Sequence, residues 1–150
     1  IIYYMNIMSY KSVITRLYSL LINSDGKVNH GEITLGKKMI QAEGIVEAEF
    51  NAELEFLSGK DQADVYKECL RDLKRLKPEQ QIRCIAWMCV LANSDGFMDR
   101  VEWQFIYKIY HKELHLALDD IMQVQKELSL MTRDNFSSGS FLATGTVSRI

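Results

Sequence analysis

Apolar residues recur at three- and four-residue intervals along most of the chain, the spacing of one face of an α-helix. Val13, Leu17, Leu20 and Leu21 make such a stripe over 9–22, with an apolar stretch over 1–8 before it. Ile33, Leu35, Met39 and Ile40 make one over 30–41, stopped by Gly44. Phe50, Leu54 and Leu57 mark a short acidic helix over 47–57. Val65, Cys69, Leu73 and Leu76 mark a longer one over 62–76, basic on its other face. Pro78 suits the first turn of a helix, where its missing N–H is no loss. That helix, 79–92, is apolar nearly all round from Cys84 onward, as expected of a helix at the centre of a bundle. Val101, Phe105, Ile106 and Ile109 predict a helix over 100–113, with Trp103 and Tyr107 placed in the core. Ile121, Val124 and Leu128 predict a last one over 118–131. Past it, Ser137-Ser138-Gly139-Ser140 and Thr144-Gly145-Thr146 read as a flexible tail. The expectation is one all-α domain over 1–131, a compact bundle of about seven helices, and a tail over 132–150.

One polar pattern interrupts the stripes twice. Asn23-Ser24-Asp25-Gly26 is followed after five residues by Glu32, and Asn93-Ser94-Asp95-Gly96 after five residues by Glu102. Leu20-Leu21 precedes the first copy and Val90-Leu91 the second. Asp-Gly turns a chain because Asp bonds its local backbone and Gly accepts positive φ at no steric cost. Asn29-x-x-Glu32 and Asp99-x-x-Glu102 each fit a capping box, in which a short polar cap and a Glu three residues later satisfy each other's backbone N–H groups. The pattern predicts two pseudo-repeated helix–turn–helix units.

Composition narrows the picture. A chain of 150 residues is long enough to fold around a core without staples. Its net charge of −2 carries no overall nucleic-acid footprint. Cys69, Cys84 and Cys89 form no Cys-x-x-Cys pair and sit in apolar stripes, which points to reduced, buried thiols and a cytoplasmic protein. The apolar run from Cys84 to Ala92 is far shorter than the ~20 residues that span a bilayer, so no membrane insertion is expected.

The turns are also the best candidates for chemistry. Aligned by glycine on a calcium-binding EF-hand loop, D-x-[DN]-x-[DN]-G-x5-E, the back half of each copy matches. Asn23, Asp25, Asn29 and Glu32 take ligand positions in one copy, and Asn93, Asp95, Asp99 and Glu102 in the other. The first ligand position holds Leu21 or Leu91, which offer no oxygen, so a regular EF-hand is not expected. Two readings stay open. The acidic groups serve only as turn and cap residues, or Asp25, Glu32, Asp95, Asp99 and Glu102 contact a divalent cation, calcium or magnesium. His111 and His115, four residues apart, are a weaker zinc candidate, and His30 could join the first turn's site. The acidic stretch 43–64 and the basic face at Arg71, Lys74, Arg75 and Lys77 read as solvated surfaces, the second also able to meet an anionic partner.

The doubled helix–Ser-Asp-Gly–x5–Glu–helix pattern resembles the TerB-like domain of tellurite-resistance proteins, a family that also occurs in membrane-anchored DnaJ-like co-chaperones. Both copies carry the resemblance, which covers about 9–131. Ser24 and Ser94 stand where the family usually has Ala, a small-for-small change. The resemblance implies about seven helices, a cytoplasmic location, a candidate metal site at the repeated turns and a stress-response or scaffold role.

The resulting expectation is a non-enzymatic module binding divalent cations at the turns and working with a protein partner, with homo-oligomerisation open. The alternative is a protein–protein interaction domain with purely structural turns, using Tyr3, Tyr4, Trp103 or Tyr107. A metal-dependent enzyme built on the repeated carboxylates is the third reading. The sequence has no Gly-rich phosphate loop and no nucleophile elbow on which to build a mechanism.

Overall fold

A helix apolar on every side must be covered on every side, and the computed structural model is arranged to do that. It describes residues 2–24, 26, 30–96 and 98–144, with side chains over 9–24, 26, 30–96 and 98–133. Seven α-helices follow in order: α1 (Ile2–Ile22), α2 (His30–Glu43), α3 (Glu47–Ser58), α4 (Gln62–Lys74), α5 (Pro78–Ala92), α6 (Arg100–Tyr107) and α7 (Leu118–Thr144). A π-helical segment, Lys108–Glu113, continues α6. No strand occurs among the described residues.

The central helix is α5. Pro78 opens it, and the Gln80 side chain accepts from the Lys77 N–H at 3.1 Å. Every side chain from Cys84 to Ala92 is buried. α7, α1, α2 and α6 pack around it. α1 contributes Val13, Ile14, Leu17 and Leu21, and packs on α4 and α3 as well. Asp61 caps α4 by accepting from the Asp64 N–H at 3.2 Å. The inward positions of α3, Phe50 and Leu57, and of α4, Val65, Cys69 and Leu73, are buried as their spacing predicts.

Polar ties fix the order of packing. Arg16 of α1 meets Asp72 of α4 at 2.8 Å. Burial works to raise the Asp72 carboxyl, but the Arg16 guanidinium, helped by Arg71, holds it below its ordinary value. Ser12 donates to Glu53 of α3 at 3.2 Å.

Four sequence expectations change. Ile33 and Val101 are exposed, at 38% and 44%, because each sits in the first turn of its helix, outside the packed stripe. Trp103 is 37% exposed rather than in the core, and its ring lies tilted 6.1 Å from those of Tyr107 and Tyr110. The helix predicted over 100–113 changes winding after Tyr107. The wider turn brings the adjacent residues Ile109 and Tyr110 inward together, and Leu114 N–H bonds back to Ile109 at 3.0 Å. Helix α7 runs on past Met131 to Thr144, since the stretch contains no proline and Thr132 is still buried. The tail expected over 132–150 otherwise falls outside the residues with described side chains.

Gly36 explains itself through α1. A Cβ there would lie 2.7 Å from Tyr18 Cε1 and 2.9 Å from Cζ, so glycine is what lets α2 approach the Tyr18 ring. Ordinarily Gly→Ala in a helix interior is favourable by about 1 kcal/mol. Here Gly36→Ala should destabilise the fold by about 1–3 kcal/mol, the overpacking cost exceeding the helix gain. Tyr18→Leu in the same chain should recover part of that loss in urea unfolding.

The three thiols, all free and buried, give a pH prediction. Burial pushes Cys69 and Cys89 up to about 12, and Cys84 well above its ordinary value. An unfolded thiol titrates near 9.0, so above that pH the unfolded chain gives up protons that the folded chain keeps. The contribution is therefore full below pH 9 and lost as pH climbs toward 12. Urea midpoints should hold steady up to the first value and fall beyond it. Replacing the cysteines with alanine should flatten the fall.

Candidate functional site

Each Asp-Gly turn begins as a helix end. In the first, the Asn23 N–H donates to Ser19 O at 3.2 Å, the Asn23 side-chain amide to the same carbonyl at 2.7 Å, and the Gly26 N–H to Asn23 O at 3.4 Å. In the second, the Asn93 N–H and side-chain amide both donate to Cys89 O at 3.1 Å, and the Gly96 N–H to Asn93 O at 3.0 Å. Gly26 and Gly96 have φ of 74° and 103°, the left-handed region the sequence reserved for them. Asn23 and Asn93, aligned above with cation ligands, thus each add a side-chain bond to the carbonyl that their own backbone N–H already engages, closing the ends of α1 and α5.

The helices that follow hold the acidic residues. Glu32 in the first turn of α2 is 1% exposed, and Glu102 in the first turn of α6 is 6% exposed. Both sit where a helix N-terminus favours negative charge. Tyr18 donates to the Glu32 backbone carbonyl at 3.3 Å; burial, with the Glu32 charge added, pushes its phenol up to about 12. Asp99 caps α6, its Oδ1 accepting from the Val101 N–H at 2.7 Å. Asp95 is exposed. Asp25 and Asn29 lie outside the described residues.

Among the described residues, no three His, Cys, Asp or Glu side chains converge on a point where they could hold a metal ion. At the second turn the described carboxylates are Asp95, Asp99 and Glu102, and one Asp99 oxygen is engaged in capping. Protein side chains there would supply only part of a coordination shell, with backbone carbonyls and water needed for the rest. His111 ends up in the π-helical segment and His115 beyond it at φ 56°, so they are not neighbours on one helix. His30 is exposed at the start of α2.

The two hairpins do meet at a surface. An open groove of about 500 Å³ is lined by Asn23 and Ser24 of the first turn, Ala63 and Tyr66 of α4, and Phe105 and Lys108 of the second hairpin. The Lys108 ammonium stands 4.8 Å over the Tyr66 ring, and the Tyr66 and Phe105 rings are 6.2 Å apart.

The structure also contains a polar centre that the sequence analysis missed. Glu43, the last residue of α2, has a side chain only 5% exposed. Its Oε1 accepts from Tyr10 Oη at 2.7 Å. Its Oε2 accepts from Arg83 Nε and from Trp87 Nε1, each at 2.9 Å. Burial first, then the neighbouring charges including Glu43, raises the Tyr10 phenol well above its ordinary value. A carboxylate at a helix C-terminus opposes the helix dipole and needs a cation, which is the signal that could have exposed it. Another is the 70-residue spacing of the motif, which also relates Glu43 to Glu113, and Glu113 pairs with Lys74 at 3.2 Å.

An all-helical bundle with acidic first turns in two of its helices defines a class of helical module. The model of the family described as tellurite resistance protein TerB matches residues 12–126, and the chain belongs to that family. No curated protein and no solved structure matches the chain. No described helix is long and apolar enough to cross a membrane.

Glu43→Ala would leave three donors of α1 and α5 without their shared acceptor. Arg83 is 39% exposed and can turn to water, but Trp87 is fully buried. The loss should be about 2–3 kcal/mol in urea unfolding, and Glu43→Gln, which keeps an acceptor oxygen, should lose less.

Proposed function

We propose that this TerB-family chain is a non-enzymatic cytoplasmic module, acting as a scaffold or in a stress response. Its two Asp-Gly turns take up a divalent cation, calcium or magnesium. Asp25, Glu32, Asp95, Asp99 and Glu102 supply the charge, completed by backbone carbonyls and water. The observation that carries this reading is the burial of Glu32 and Glu102, one at each turn. Carboxylate oxygens are the ligands a hard cation takes, and the repeat places one such glutamate beside each turn. Three buried, unpaired thiols support a reducing compartment.

The second reading is an interaction domain whose turns are structural. It is favoured by the capping roles of Asn23, Asn93 and Asp99, and by the exposed edge of Trp103.

An amide NMR titration with calcium, then magnesium, separates the two. Under the first reading, saturable shifts gather over 23–32 and 93–102, and the melting temperature rises with ion. The accompanying stabilisation is about 2.7 kcal/mol at a hundredfold excess over the dissociation constant. Glu32→Gln with Glu102→Gln should abolish the shifts while leaving a folded spectrum. Unchanged spectra at millimolar ion would give the turns to the second reading.

A further inference from the structure

The fold leaves two complementary surfaces unused. One is the groove between α4 and α6, whose walls are apolar and aromatic at Leu20, Ala63, Tyr66 and Phe105, with Lys108 as its cation. Positive charge continues away from it in two exposed rows. Lys67 and Arg71 follow Ala63 by one and two turns of α4, and Lys112 follows Lys108. Asp64, Glu68 and Asp72 occupy the next row around α4, where Asp72 is taken by Arg16 of α1.

The other surface is the outer face of α3. That helix holds Glu47, Glu49, Glu53 and Glu55 and no basic residue. From it projects Phe56, 64% exposed, the most exposed large hydrophobic side chain among the described residues. The Lys60 ammonium lies over its ring, at 5.1 Å. Ala48 and Ala52, exposed on the same helix, let another backbone come close.

We propose that the outer face of α3 docks into the α4–α6 groove of a second copy of this chain. Phe56 seats in the groove against the paired Tyr66 and Phe105 rings, and Glu55 and Glu49 meet Lys108 and Lys67. Charge selects the occupant. A helix whose own charged residues are all acidic, with one protruding aromatic ring from which Lys60 must turn aside, matches an aromatic-lined groove that carries Lys108 with Lys67 and Arg71 beyond it, and both belong to the same molecule. Knob and groove are different patches, so the contact either closes into a small ring or runs on into a chain of copies. Because its charges are solvent-facing, salt weakens it.

Sedimentation equilibrium of the full chain over a range of concentrations tests this. At low ionic strength the average mass should rise with concentration, and added salt should lower it. Phe56→Ser and Lys108→Glu change exposed residues and should leave the circular dichroism spectrum intact. Each should weaken association at least tenfold. Mixed together, they should form a heterodimer that neither forms alone, because one variant keeps the groove and the other keeps the knob. Glu55→Lys should partly restore association to Lys108→Glu. A chain that stays monomeric at every concentration overturns the proposal, as does a Phe56→Ser variant that associates like the parent. So does a monomer whose groove resonances shift only with an added acidic peptide, which would assign the groove to a foreign partner.

Discussion

Helix α5 has no face for water, and the architecture answers that constraint. Nine consecutive buried side chains, Cys84 to Ala92, can be covered only by neighbours on all sides. α1, α2, α6 and α7 do the covering, while α3 and α4 lie on α1 as an outer layer. Burying helix α5 also buries the Trp87 indole, whose N–H must find an acceptor. Glu43 supplies it, and the same carboxylate then recruits Arg83 and Tyr10. One apolar helix thus determines both the layering of the bundle and its principal polar joint, which ties α1, α2 and α5 together.

The sequence was most legible where one physical signal acted alone. Periodicity placed all seven helices, and Pro78 marks a helix start by a mechanism that involves only a few residues. It was least legible where tertiary packing overrode local preference. Nothing in Lys108–Glu113 announces a π-helix; its winding depends on burying Ile109 and Tyr110 side by side. Ile33 and Val101 have the right chemistry for a core stripe but fall at helix ends, where the stripe has no partner. Glu43 was hidden because its partners come from residues 33 and 40 or more positions away along the chain.

The turns show how one motif supports two readings of the same residues. Every polar side chain that holds such a turn is also an oxygen or nitrogen donor suited to an ion. In this chain Asn23, Asn93 and Asp99 already have identifiable backbone partners, which accounts for their presence without any ligand. Glu32 and Glu102 stand apart in being drawn into the interior. The chemical interest of the hairpins therefore lies in the glutamates six positions past each glycine, rather than in the Asp-Gly pairs that drew attention to them.

Helix α2 contains fourteen residues, and α6 with its π-helical continuation also contains fourteen. The second arm is wound more widely, so the same number of residues spans a shorter distance. The two arms thus differ in hydrogen-bond register and not in residue count. Substitutions alone, with no insertion or deletion, could move either arm toward the pitch of the other.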